Sequence, residues 1–141
     1  MSTAADRPAR PEDIDEICGS LPETELGISW GDRPTWKVPR GDKGKGFVLY
    51  RMAHKTAVDP ETGEMWDDVV VIHTPTEVEK HALVADDSTP FFTIDHFKRT
   101  SAVLVRQSRL SEISRQELAE VITEAWAAKA PKKLVREHLG E

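Results

Sequence analysis

Five histidines, one cysteine, an acidic cluster and a glycine-spaced basic run are the places where this 141-residue chain has side chains suited to chemistry. Zinc sites need imidazoles at i,i+4 or finger-type spacings, and His54, His73, His81, His96 and His138 fall at neither. Asp95 could orient His96, yet no G-x-S-x-G or comparable nucleophile motif accompanies the pair, which reads as a loop hydrogen bond. Cys18 lies on an apolar helical stripe and reads as core. Gly41 to Gly46 is not a phosphate loop: Pro39 stands where the first glycine is needed, and Gly46 replaces the Ser or Thr after Lys45. Glu12, Asp13, Asp15, Glu16, Glu23 and Glu25 offer oxygens to a hard cation. A solvated helix face complementing its own dipole explains them more simply. The residues therefore predict no catalytic group, metal ligand or cofactor, and the chain reads as a non-enzyme.

Phosphate binding is the remaining chemistry. The net charge of −6 opposes non-specific nucleic-acid binding by the chain as a whole, but the charge is segregated. Residues 33–55 carry Arg33, Lys37, Arg40, Lys43, Lys45, Arg51 and Lys55 against Asp42 alone. Residues 59–87 carry nine acidic side chains against Lys80, and a second basic run holds Lys98, Arg99, Arg106 and Arg109. Separated in the fold, these runs give one basic and one acidic face. Arg40, Lys43 and Lys45 would form a hairpin tip laid along phosphates, flanked by Arg33, Lys37, Arg51 and Lys55, with Lys98 and Arg99 as a second basic element.

The elements that must position these cations are legible. Residues 1–10 are small, polar and proline-containing and read as a disordered lead-in, with one domain over residues 11–141. Pro11 opens a helix whose stripe is Ile14, Ile17, Cys18 and Leu21, leaving Asp13, Asp15 and Glu16 outward. Trp36 and Val38 predict one strand and Phe47 to Tyr50 another, joined by the basic tip. Asp59 to Gly63 is a turn from a strand near Lys55–Val58 into the run Trp66–His73. Val69 to Ile72 is apolar on both faces and so is central and covered.

Thr76 with Glu79 caps a helix running to Ala85, with Val78, Ala82 and Ala85 inward. Pro90–Ile94 and Ala102–Val105 are extended. Ser114 with Glu117 caps the clearest helix, which presents Leu118, Val121, Ile122, Ala125 and Trp126 on one face. Pro131 ends it and begins a last helix, Lys132 to Leu139, capped by Gly140. This order predicts a single α+β domain, an antiparallel sheet with helices packed on one face. No apolar run reaches membrane-spanning length and no secretory h-region opens the chain, so a cytoplasmic location without membrane contact is expected. The sequence does not give the oligomeric state, for which a monomer is the expectation.

Gly31-Asp32-Arg33-Pro34-Thr35-Trp36-Lys37-Val38, the hairpin into Phe47-Val48-Leu49-Tyr50, and the ending Ala125-Trp126-Ala127-Ala128-Lys129-Ala130-Pro131-Lys132-Lys133-Leu134 resemble the MmcQ/YjbR family. The resemblance implies the CyaY-like α+β fold, related in shape to frataxin, and double-stranded DNA as the partner, held by paired hairpin wings. Ile94-Asp95-His96-Phe97 departs from the family's Lys-x-His-Trp segment. The other expectation is an adaptor of the same fold that binds a protein, a metal or a small ligand and no nucleic acid.

Overall fold

A computed structural model describes residues 7–29, 33–41, 44–50, 61–63, 68–93 and 101–139. Helix α1 (Pro11–Ser20) starts on its proline and buries Ile14, Ile17 and Cys18. Asp13 at the third helical position accepts from the Arg10 backbone N–H at 2.8 Å, satisfying one donor of the open helix end. Five antiparallel strands follow in chain order: β1 (Glu25–Ser29), β2 (Arg33–Val38), β3 (Lys45–Tyr50), β4 (Val69–His73) and β5 (Ala102–Arg106). Helix α2 (Glu77–Ala85) lies between β4 and β5. A 3₁₀ segment (Gln107–Glu112), α3 (Arg115–Lys129) and α4 (Lys132–Leu139) complete the chain. No helix among the described residues is long and apolar enough to cross a membrane.

The α+β architecture and one-sided helix packing are as the sequence order implies. Val48, Val70, Ile72, Val103 and Val105 meet α1 and α3 in the main core, with Trp126 wholly buried there. Each fully buried side chain of this size is worth about 1.5–3 kcal/mol over exposure. A register shift opposite Trp36 and Lys37 inserts Phe47 as an extra residue in β3, so Phe47 and Val48 both reach that core. The opposite sheet face is dry as well: Val69, Val71, Ala102 and Leu104 are buried, with Leu49 and Phe92 packed against them. β4 is therefore covered on both faces, as its unbroken apolar run requires. Phe92 bridges Leu104 and extends the sheet past β5 by one residue pair.

Four expectations are corrected. Strand β1 has no counterpart in the sequence reading, because Glu-Leu-Gly-Ile-Ser is short, contains glycine, and is an edge strand whose Leu26 stays half exposed. Residues 7–10 are packed rather than disordered: the Ala9 N–H donates to the Ile113 carbonyl, the Arg115 N–H donates to that of Arg7, and Ala9 is buried. Asp13 is not on a solvated face but fully buried beside Arg7. Helix α2 is rotated from its expected setting, with Val78, Ala82 and Ala85 exposed and Lys80, Leu83 and Val84 turned inward. Two alanines make a weak stripe; Leu83, Val84 and the four-carbon Lys80 stem bury more apolar surface.

The capping box forms at Ser114 with Glu117, whereas Thr76 caps α2 through its hydroxyl, which accepts from the Glu79 N–H and bonds to the Glu79 carboxylate. Gly63 holds the positive φ that its turn requires. The strand expected near Lys55–Val58, Ile94, the Asp95–His96 pair and Gly140 lie outside the described residues.

Candidate nucleic-acid interface

The β2–β3 hairpin places Lys37 on β2, Arg40 in the connecting turn and Lys45 at the start of β3. The unpredicted β1 changes their electrostatics. Glu25 sits directly opposite Lys37 in the register, and its carboxylate lies 3.8 Å from the Lys37 ammonium. The same carboxylate accepts from the Gly41 N–H at 3.0 Å, which ties the tip to β1. Gly27 and Gly44 make room for the Lys37 stem: a Cβ on either would come within about 3.1 Å of it. Arg40 Nε donates to the Thr24 carbonyl at 3.1 Å, which fixes the side chain while leaving its charge exposed. Lys45 is exposed and makes no ion pair among the described residues. Arg33 opens β2. Lys43, Arg51, Lys55, Lys98 and Arg99 lie outside the described residues. Of the second basic run, Arg106 pairs with Asp68 at 2.9 Å and Arg109 with Glu112 at 2.6 Å.

The acidic cluster around α1 is dispersed among separate partners. Asp13 binds Arg7 through both oxygens and has Arg115 Nε at 3.4 Å. The Arg7 hydrogen bonds hold its carboxyl below the usual carboxylate range, against the opposing effect of burial. Asp15 Oδ1 accepts from Trp36 Nε1 and from the Tyr50 hydroxyl, each at 2.8 Å. Those bonds occupy the polar ends of two aromatics that pack against the main core. Burial and the Asp15 charge push the Tyr50 hydroxyl well above the ordinary tyrosine range. Glu16 pairs with Arg115 at 3.4 Å. Among the described residues no group of three or more His, Cys, Asp or Glu side chains is arranged to hold a metal ion.

Burial raises the Cys18 thiol pKa, so the thiolate is disfavoured. His73, at the end of β4, is pushed down to about 4 by burial, with the Lys129 charge adding to it.

Two further features escaped sequence reasoning. A cleft of about 290 Å³ opens between α2 and α3, with Leu83, Phe91 and Val121 among its apolar walls. Glu79, Asp86, Glu117, Glu120 and Glu124 line it with no lysine or arginine. The signal was present as Glu117, Glu120 and Glu124 at i, i+3 and i+7 on one face of α3. The second feature is the setting of α4, the last helix that the sequence does predict. Leu134 and Val135 pack on the core, and the His138 ring stands edge-on to Trp126 with centroids 5.1 Å apart. Lys132, Lys133 and Arg136 are exposed.

One family matches this chain, YjbR, over residues 19–128. The chain belongs to the YjbR family. Its relatives include the uncharacterized protein Rv2570 of Mycobacterium tuberculosis (strain ATCC 25618 / H37Rv) and the uncharacterized protein Mb2600 of Mycobacterium bovis. Each is 46% identical over 128 residues, covering 91% of this chain and 94% of the relative. No solved structure matches. The YjbR match takes in α1's last turn, the whole sheet, α2 and nearly all of α3. It leaves out α4 and the Arg7–Arg10 segment that packs on Ile113 and Arg115.

Proposed function

We propose that this YjbR-family chain is a non-enzymatic, cytoplasmic DNA-binding protein that holds duplex phosphates through its β2–β3 hairpin. The observation that carries the reading is the gathering of Lys37, Arg40 and Lys45 on one hairpin, where among the described residues only Glu25 brings a carboxylate to them. The acidic cleft between α2 and α3 is lined by no residue of that hairpin. Lys45 acts as an exposed point charge, and Arg40 reaches outward from a side chain braced on Thr24. Arg33, Lys43, Arg51 and Lys55 from the same stretch extend the contact, and Lys98 with Arg99 supplies the second basic element. Such contacts position a duplex without reading its sequence.

The test is fluorescence anisotropy of a labelled duplex in rising salt, with wild type against Arg40→Glu/Lys43→Glu/Lys45→Glu. Contact with about four to six phosphates gives a log–log salt slope of roughly −4 to −5. Steep salt dependence that is lost in the variant supports the reading; affinity indifferent to salt overturns it.

The acidic cleft favours a second reading, an adaptor that takes a cationic partner between α2 and α3 and binds no DNA. It is tested by titrating a Lys- and Arg-rich amphipathic peptide into wild type and Glu120→Lys/Glu124→Lys. Saturable binding lost in that variant, with no DNA binding at low salt, would replace the hairpin reading.

A further inference from the structure

We infer that helix α4 is an additional phosphate-contacting element, holding the duplex backbone with Lys132, Lys133 and Arg136. The inference rests on the hairpin reading and extends it to a segment outside the family match. Successive helical residues are turned by about 100°, so Leu134, Val135 and His138 share one side of α4 and Lys132, Lys133 and Arg136 the other. The first set faces the protein, through the core contacts of Leu134 and Val135 and the ring contact of His138 with Trp126. The second set therefore points to solvent, and all three cations are exposed.

Among the described residues the three share the unpaired state of Arg40 and Lys45 on the hairpin. Arg7, Lys37, Arg106, Arg109 and Arg115 each have a carboxylate within 4 Å. Lys132, Lys133 and Arg136 have none among the described residues. Local helix electrostatics also oppose the two lysines, which occupy a first turn that holds no acid although the dipole favours one there, whereas Arg136 stands in the last turn, where the dipole favours it. Three like charges within one turn repel one another. An anionic partner lying across the helix relieves both.

The position of α4 links it to the hairpin. Trp126, against which His138 stands, donates its Nε1 to the Pro22 carbonyl at 3.0 Å. Arg40 of the hairpin turn donates to the Thr24 carbonyl, two residues further on. The hairpin turn and Trp126, the α3 residue that His138 of α4 stands against, thus bond to carbonyls two residues apart, a chain distance of at most about 7–8 Å. Lys132 to Arg136 spans about 6 Å of helix rise, close to two steps of the roughly 3.4 Å of duplex axis per charge of one strand.

The experiment uses the full chain and the same labelled duplex. Variants are Lys132→Glu/Lys133→Glu/Arg136→Glu and its milder form Lys132→Gln/Lys133→Gln/Arg136→Gln, which keep Leu134, Val135 and His138. Unchanged far-UV circular dichroism and melting establish folding, and the Gln variant carries the test if the Glu variant does not fold. Expected are a roughly tenfold or greater affinity loss at low salt for Glu, a smaller loss for Gln, and a salt slope shallower by about 2–3. Glu137→Lys on α4 and Asp87→Lys beyond α2 add the same charge at two places, and only the first should tighten binding. Wild-type binding with unchanged affinity and slope in both α4 variants overturns the inference and leaves the hairpin reading standing. Equal tightening by Glu137→Lys and Asp87→Lys also overturns it, since net charge alone would then be acting. No wild-type binding at the lowest salt overturns both.

Discussion

Arg7 grips both carboxylate oxygens of Asp13, at 2.8 and 2.7 Å, and the Asp13 side chain is completely buried. Asp13 also closes the N-terminus of α1 through the Arg10 N–H. Asp13→Asn keeps the size but leaves Arg7 without its counter-charge, and should cost roughly 2 kcal/mol at neutral pH. The folded-state carboxyl lies below its ordinary value, so its contribution is complete above about pH 4–5. That contribution is lost as pH falls through the depressed folded value. Urea unfolding of wild type and Asp13→Asn from pH 7 down to pH 2 should show the gap closing only at the acid end.

Tyr50 is the chain's only tyrosine, so its ionisation can be followed by absorbance without interference from another. Burial and the bond to Asp15 hold its proton, and the native protein should show no tyrosinate through the normal range near pH 10. A raised phenol stabilises the fold below its ordinary pKa and loses that contribution as pH rises. Asp15→Ala should bring tyrosinate absorbance to lower pH, cost about 1–2 kcal/mol, and red-shift tryptophan emission as Trp36 loses its acceptor.

Gly44 approaches the Pro39 carbonyl so closely that an added Cβ would sit 2.5 Å from that oxygen. The obstacle is backbone, so the turn itself must move. Gly44→Ala should cost about 1–3 kcal/mol in thermal or urea unfolding and weaken duplex binding by displacing Arg40.

Val78 is 77% exposed. Val78→Ser should change stability by no more than about 0.5 kcal/mol, whereas Leu83→Ala, on the inward side of α2, should cost about 1–2 kcal/mol. Paired urea titrations of the two variants decide the helix setting.

What the sequence disclosed follows from how local each signal is. Pro11, the Thr76 and Ser114 caps and the α3 stripe act within one or two turns, and each element starts where they stand. The apolar run of β4 reported burial on both faces because no polar residue interrupts it. β1 was hidden because its pairing with β2 depends on a neighbour rather than on its own composition. Asp13 looked like an ordinary first-turn acid; its partners Arg7 and Arg115 are 6 and 102 positions away, and only folding brings the latter close. For the site, the cations of the hairpin were legible as a charge run, but Glu25 opposite Lys37 and the bracing of Arg40 on Thr24 were not, since both arise from the register of β1 and the turn before it.

The short ladder joining Arg7 and Ala9 to Ile113 and Arg115 has a kinetic consequence. Sheet neighbours here are neighbours in sequence, so the sheet assembles through successive local pairings. The ladder closes a loop of more than 100 residues, at an entropic cost of about 4 kcal/mol. It is the contact best formed last and released first. Substitutions such as Ala9→Gly should accelerate the unfolding limb of a chevron plot while leaving the folding limb almost unmoved.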